Sequence, residues 1–173
     1  MRIVMGEAVM RRNWTRHQLV GLVGWLAITF VAAAVGSVAS ADAPTFYAQL
    51  SKPDWAPPAS VFGPVWTLLY LLMGIAAWLV WRERSARGVD GALSLFLIQL
   101  AANALWSWLF FSWRQGAFAL VDILLLLLLI AGTAASFWRI NRLASALLLP
   151  YLAWVAFASV LTGVVWQRNP GLL

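Results

Sequence analysis

Read by the polarity of successive positions, the chain is five long apolar stretches separated by polar connections. They run from about Leu19 to Ala41, Val61 to Trp81, Gly91 to Phe111, Ala117 to Trp138 and Ala144 to Trp166. Each holds about 20 residues, which at 1.5 Å of rise per helical residue matches a hydrocarbon core of roughly 30 Å. The pattern predicts an all-α membrane protein, a bundle of five transmembrane helices. Three of the four connections are short, which favours antiparallel neighbours in an up-down order. The exception runs from Asp42 to Ser60 and holds Pro44, Pro53, Pro57 and Pro58. Proline removes a donor and restricts the residue before it, so this loop is not helical throughout. No internal repeat is visible.

Composition agrees about the solvent. Charged residues are 10% of the 173, against roughly 25% in a soluble domain, too few to cover a surface in water. The length suits one domain: a basic leader over 1–18, then a five-helix domain over 19–169. The leader carries Arg2, Arg11, Arg12 and Arg16 against Glu7 and is expected to be poorly ordered. Leader, apolar run and Ala39-Ser40-Ala41 or Ala41-Asp42-Ala43 together also have the look of a cleavable signal peptide. A signal core is usually about 7–15 residues, however, and this run is longer, which favours a retained helix.

Cysteine is absent, which excludes disulfides, thiolate metal sites and Cys nucleophiles. The one histidine, His17, lies in the leader, so a buried site lacks the commonest metal ligand and general base. No metal site and no catalytic residues are expected. The formal net charge of +6 is spread between apolar spans, which points to lipid headgroups rather than nucleic acid as partners. Counted on alternate sides, nine Lys and Arg face three. This asymmetry predicts a cytoplasmic N-terminus and an outer long loop. The expected location is a bacterial cytoplasmic membrane, with an outer membrane as the alternative.

These directions bring the polar and aromatic positions of four spans to the middle and outer layers. Trp66 and Tyr70 share a face of the second span. Gln99, Asn103, Trp106 and Phe110 follow a 4, 3, 4 spacing on the third, and Trp154, Ala158 and Thr162 repeat every four on the fifth. The convergence describes a cavity beneath the proline-rich loop. Trp66 and Trp154 are read as its walls rather than as packing. Trp25, Trp81, Trp113, Trp138 and Trp166, towards span ends, are read as interfacial anchors. Gln99 and Asn103 serve equally as ligand contacts or as interhelical hydrogen bonds worth roughly 0.6–2 kcal/mol. Asp122, near the outer side of the fourth span, is a functional candidate wetted from outside or a structural partner of Arg114. Small residues on the first span (Ala32, Gly36, Ser40 and Ala33, Ser37, Ala41) are expected to let a neighbouring helix come close.

At these residues the chain resembles a known family. Tyr47-Ala-Gln-Leu-Ser-Lys52-Pro53-Asp-Trp55-Ala-Pro57-Pro58, followed by Phe62-Gly63-Pro64-Val65-Trp66-Thr67-Leu68-Leu69-Tyr70, resembles the signature of the TspO/MBR family. These are the tryptophan-rich sensory proteins, relatives of the mitochondrial translocator or peripheral benzodiazepine receptor protein. Gln99, Asn103 to Trp106, and Pro150-Tyr151-Leu-Ala-Trp154 extend the match, which covers about 20–169. The resemblance implies a five-helix bundle, often a homodimer, that binds porphyrins and other tetrapyrroles below the first loop. It also implies a pocket lined by Tyr47, Trp66, Asn103, Trp106, Trp154 and Ala158. With Trp55, Tyr70, Gln99 and Thr162 these make the expected ligand-binding set. Two departures stand out. Many members have Asn where this chain has Thr162, and Leu161 to Arg168 lacks the central tyrosine of a proposed cholesterol motif, so sterol binding is not carried over.

The chemistry supports a tetrapyrrole ligand with no further cofactor required. A porphyrin is a wide π-face with carboxylate tails, suited to Trp and Tyr walls with a few donors, here Asn103, Gln99 and Lys52. Haem iron usually takes His, Cys, Met or Tyr as an axial ligand. Met73 is the only methionine within a span, which favours metal-free porphyrin or haem held without strong ligation. The expected role is a membrane sensor or regulator of porphyrin metabolism or stress. A porphyrin transporter and a light-dependent porphyrin-degrading enzyme are the alternatives. The transporter reading lacks a repeat or a helix broken at mid-membrane, and no hydrolytic or metal constellation can be assembled for an enzyme.

Overall fold

The computed structural model describes the backbone from Arg2 and side chains from Arg16 to Leu173. The leader, expected to be poorly ordered, is helical from Arg2 as the first part of α1; its side chains before Arg16 lie outside the described residues. The helices are α1 (Arg2–Ala39), α2 (Ala43–Gln49), α3 (Phe62–Arg82), α4 (Val89–Ser107), α5 (Gly116–Trp138) and α6 (Arg142–Arg168). A 3₁₀ turn (Ala59–Val61) precedes α3, and a π turn (Trp108–Ser112) extends α4. Among the described residues five helical segments are long and apolar enough to cross a membrane: Arg16–Ala39, Ala59–Arg82, Val89–Ser112, Gly116–Trp138 and Arg142–Arg168. Together with the absence of strands among the described residues, they make this a multi-pass all-α membrane protein.

Local chemistry explains several boundaries. Asn141 caps α6, its Oδ1 accepting from the Ala144 N–H at 3.0 Å; a side-chain oxygen there satisfies one of the first-turn donors. Gly88, at φ +84, turns the chain into α4, a conformation that costs glycine little. The π turn is marked by the Trp113 N–H donating to the Trp108 carbonyl at 2.7 Å. Its extra residue lets both Phe110 and Phe111 pack on Trp106, at ring-centroid distances of 5.2 and 5.7 Å.

The five spans form a ring in the order α1, α3, α6, α5, α4. Here the structure departs from a simple up-down order. The short 83–88 connection joins α3 and α4, which are next-but-one in the ring with α1 between them. Small residues make that insertion possible. A Cβ on Gly74 of α3 would lie 2.7 Å from Leu26 Cδ2, and one on Gly21 of α1 would lie 2.1 Å from the Trp81 ring. Both contacts draw α1 and α3 together at the end away from the long loop. A Cβ on Gly36 of α1 would lie 3.2 Å from Ser107 Oγ and 3.9 Å from the Ala104 Cα of α4. The core packs around Met73, Phe96, Phe137, Leu148 and Tyr151, all buried.

The tryptophans divide differently from the sequence reading. Trp113 and Trp138 are each 53% exposed at span ends, as anchors would be. Trp25 is buried and meets Phe96 edge-on at 6.0 Å. Trp81 and Trp166 are half-buried and fill the spaces left by Gly21 and Gly116. Tryptophan near a span end turns inward wherever an opposing glycine makes room.

Candidate functional site

At the loop end, α1, α3, α4 and α6 diverge around a cavity of about 710 Å³. That volume lies inside the roughly 300–1,000 Å³ common for small-molecule sites. Of the ten residues singled out from the sequence, seven line it: Tyr47, Trp66, Tyr70, Asn103, Trp106, Trp154 and Ala158. Apart from Phe30, the α1 wall is built of small residues, among them Ala33, Gly36, Ser37 and Ser40. The stripe expected to admit a neighbouring helix therefore does so at Gly36, while Ala33, Ser37 and Ser40 border open space. Lining residues Ala34 and Ser37 of α1 and Gly63 and Thr67 of α3 are also exposed. The cavity thus opens sideways between these two helices as well as beneath the loop.

The walls hold one another in place. Trp154 packs on Phe62 and Phe157 at 5.9 and 5.6 Å, and Trp66 on Tyr70 and Tyr151 at 5.7 and 6.2 Å. The indole N–H groups of Trp106 and Trp154 are buried without hydrogen-bond partners. Buried donors are usually paired, and these two are exceptions on the cavity's own wall residues.

The floor is a chain of polar side chains. Tyr70 Oη donates to Asn103 Oδ1. Asn103 Nδ2 donates to Tyr151 Oη at 3.0 Å, and Tyr151 Oη donates to Gln99 Oε1 at 2.9 Å. Gln99 Nε2 ends 3.9 Å from Met73 Sδ. Tyr70 and Asn103 face the cavity, whereas Tyr151, Gln99 and Met73 lie beneath it. Tyr151 is therefore a supporting residue that the sequence reading left out of the site, although it stands in the Pro150-Tyr151 motif that could have signalled it.

The roof is α2 with the extended chain behind it. Tyr47 Oη donates to the Pro57 carbonyl at 3.0 Å. Burial pushes the Tyr47 phenol above its ordinary pKa, which keeps this donor protonated. Lys52 Nζ donates to the Tyr47 and Leu50 carbonyls at 2.6 and 2.9 Å and lies over the Tyr47 ring. Asn169, past the end of α6, clamps the roof from below. Its Oδ1 accepts from the Ser51 N–H at 2.8 Å, and its Nδ2 donates to the Ser51 and Val165 carbonyls at 3.0 and 2.7 Å. Nothing local in the sequence marks Asn169, because its partner lies far away in the chain.

Three of the predicted ligand contacts fall outside the cavity. Gln99 is spent one layer below, on Tyr151 and Met73, so the interhelical hydrogen-bonding role is the one observed. Trp55 is 49% exposed and packs edge-on against Phe157 at 5.8 Å, outside the lining. Thr162 is buried on α6 and does not line the cavity either. Lys52, expected as a ligand donor, is committed to backbone carbonyls. Asp122 is buried rather than wetted, with Oδ2 unpartnered, and Arg114 lies over the Phe46 ring instead of against it.

The comparisons with known proteins agree with this architecture. The TspO/MBR family profile matches residues 25–167. The human translocator protein is 44% identical over 128 residues, covering 73% of this chain and 76% of its own length. The tryptophan-rich protein TspO of Chlorobaculum tepidum is 43% identical over 129 residues, 72% of this chain and 80% of that protein. Protein CrtK of Rhodobacter capsulatus is 34% identical over 145 residues, 81% of this chain and 87% of its own. Five apolar helices, an aromatic cavity beneath a proline-rich loop and these matches show that the chain belongs to the TspO/MBR family.

Proposed function

We propose that this protein binds a porphyrin or related tetrapyrrole in the cavity at its loop end and acts as a membrane sensor or regulator of porphyrin metabolism. The observation that carries the reading is the make-up of the walls. Three indoles (Trp66, Trp106, Trp154) and two phenols (Tyr47, Tyr70) border about 710 Å³ of space. Flat aromatic surfaces suit a wide π-system, and Asn103 adds a polar side chain to the lining. Among the described residues no group of three His, Cys, Asp or Glu is placed to hold a metal. His17 lies at the opposite end, stacked on Trp81 at 5.5 Å.

Fluorescence and absorbance titration with protoporphyrin tests the proposal. An aromatic contact is worth about 0.5–1.5 kcal/mol beyond burial, so Trp154→Leu should weaken binding about 2–10-fold. Trp113→Leu, at an exposed span end, should leave affinity nearly unchanged. Equal losses at both positions would show a general effect on the bundle and no site. The same samples, incubated in darkness and in light, separate binding from breakdown. Loss of the porphyrin spectrum only under illumination, and only with Trp154 intact, would replace the sensor reading with a photochemical one.

A further inference from the structure

A second, smaller pocket adjoins the cavity at the loop end. It measures about 190 Å³ and shares Ala43 and Phe111 with the main cavity. Its polar groups are Asp42, Ser112 and Arg114. A planar ligand in the aromatic cavity therefore has, at one edge, a polar recess containing a guanidinium.

Arg114 differs from the other two cations at this end. Lys52 donates to the Tyr47 and Leu50 carbonyls, and Arg168 Nη1 donates to the Lys52 carbonyl at 3.1 Å. The Arg114 guanidinium lies over the Phe46 ring, 4.8 Å from its centroid, and among the described residues it has no hydrogen-bond or carboxylate partner. Contact with an aromatic face orients a guanidinium while leaving its fork of N–H donors free, and that fork matches a carboxylate. Arg114 also has φ +55, the one positive φ outside glycine among the described residues. Such a backbone persists where its surroundings impose it, and here the π turn on one side and the start of α5 on the other do so. Asp42 lines the same recess and makes no side-chain cap bond to α2. Its negative charge opposes any anion that enters.

We infer that Arg114 is the anchor for a carboxylate at the edge of the cavity's ligand, with Asp42 limiting the affinity and selecting against excess negative charge. The inference rests on the tetrapyrrole reading and deepens it: the ligand carries at least one free carboxylate, directed to the Ala43–Phe111 edge. Esterified or otherwise neutral analogues fill the aromatic cavity but leave Arg114 unused.

The test compares protoporphyrin IX with its dimethyl ester by quenching of tryptophan fluorescence in phosphatidylcholine nanodiscs, with empty nanodiscs as reference. The wild-type protein should bind the acid about two- to fivefold more tightly than the ester, the range of an exposed, charge-assisted pair. Arg114→Gln should abolish the preference by weakening the acid alone, and Arg114→Lys should keep part of it. Asp42→Asn should enlarge the preference, an opposite sign that a merely structural role for either residue would not produce. Equal binding of acid and ester by the wild type would overturn the anchor and leave the tetrapyrrole reading standing. So would a preference that survives Arg114→Gln. Binding of neither compound by the wild type would overturn both. The acid–ester comparison needs no variant, so the inference stays open to refutation even if Arg114→Gln folds poorly.

Discussion

Removing Asn103 probes the cavity floor most directly. Its Oδ1 accepts from Tyr70 Oη and its Nδ2 donates to Tyr151 Oη, so Asn103→Leu breaks two bonds with unequal consequences. Tyr151 continues to donate to Gln99 Oε1 at 2.9 Å and loses only a donor pointed at it. Tyr70, a buried residue, loses the acceptor of its one side-chain hydrogen bond among the described residues. A buried hydroxyl left unpaired costs about 1–3 kcal/mol in water-soluble proteins, but couplings measured inside membranes average about 0.6 kcal/mol and reach about 1.7. The smaller range applies here, because the reference state in lipid also finds partners. Combining Asn103→Leu with Tyr70→Phe should therefore recover about 0.6–1.7 kcal/mol relative to the sum of the single changes. The four proteins can be compared by unfolding in mixed micelles with rising dodecyl sulfate, followed by helical circular dichroism. Tyr70→Phe paired with Ser145→Ala is the control, since Ser145 donates to the Ala134 carbonyl elsewhere; that pair should be additive. Additivity within about 0.3 kcal/mol for Tyr70 and Asn103 as well would refute the bond as a source of stability.

Gly74→Ala should cost about 1–3 kcal/mol by forcing α1 from α3, since its Cβ would meet Leu26 at 2.7 Å. In the same unfolding assay Gly91→Ala, with open space around it, should stay within about 0.5 kcal/mol of wild type. Asn169→Ala removes the two bonds that tie Ser51 to the end of α6, together with the one to the Val165 carbonyl. Protease should then cut within 50–58 several-fold faster while the spans stay intact, and an unchanged cleavage rate would show that the clamp is dispensable. Haem and protoporphyrin should bind within about tenfold of each other, roughly 1.4 kcal/mol, because Met73 is fully buried beneath Gln99 and does not line the cavity. A strong haem preference lost in Met73→Leu would contradict that placement.

Sequence alone determined the class of molecule. Apolar length is a local property, so five stretches of about 20 residues gave five spans whose ends differ from the structure by only a few residues. Helical periodicity was equally legible. Residues spaced by three and four share a face whatever they face, and Trp66, Tyr70, Asn103, Trp106, Trp154 and Ala158 do meet around one cavity. The family resemblance added Tyr47, which no periodicity could place, because it stands on a short helix inside the loop. Tertiary structure alone decided the rest. Gln99 and Asn103 stand one turn apart on the same face, yet only Asn103 reaches the cavity, because Tyr151 from α6 inserts between α4 and the space above Gln99. Lys52 looked available until the fold wrapped it around the carbonyls of α2. Trp25 looked interfacial until Phe96 received it. Asn169 gained its role only when α6 ended beside Ser51. Membership of a helix and of one of its faces follows from short-range spacing. Which groups a side chain spends its hydrogen bonds on depends on partners brought together from distant parts of the chain, and only the packed bundle holds that information.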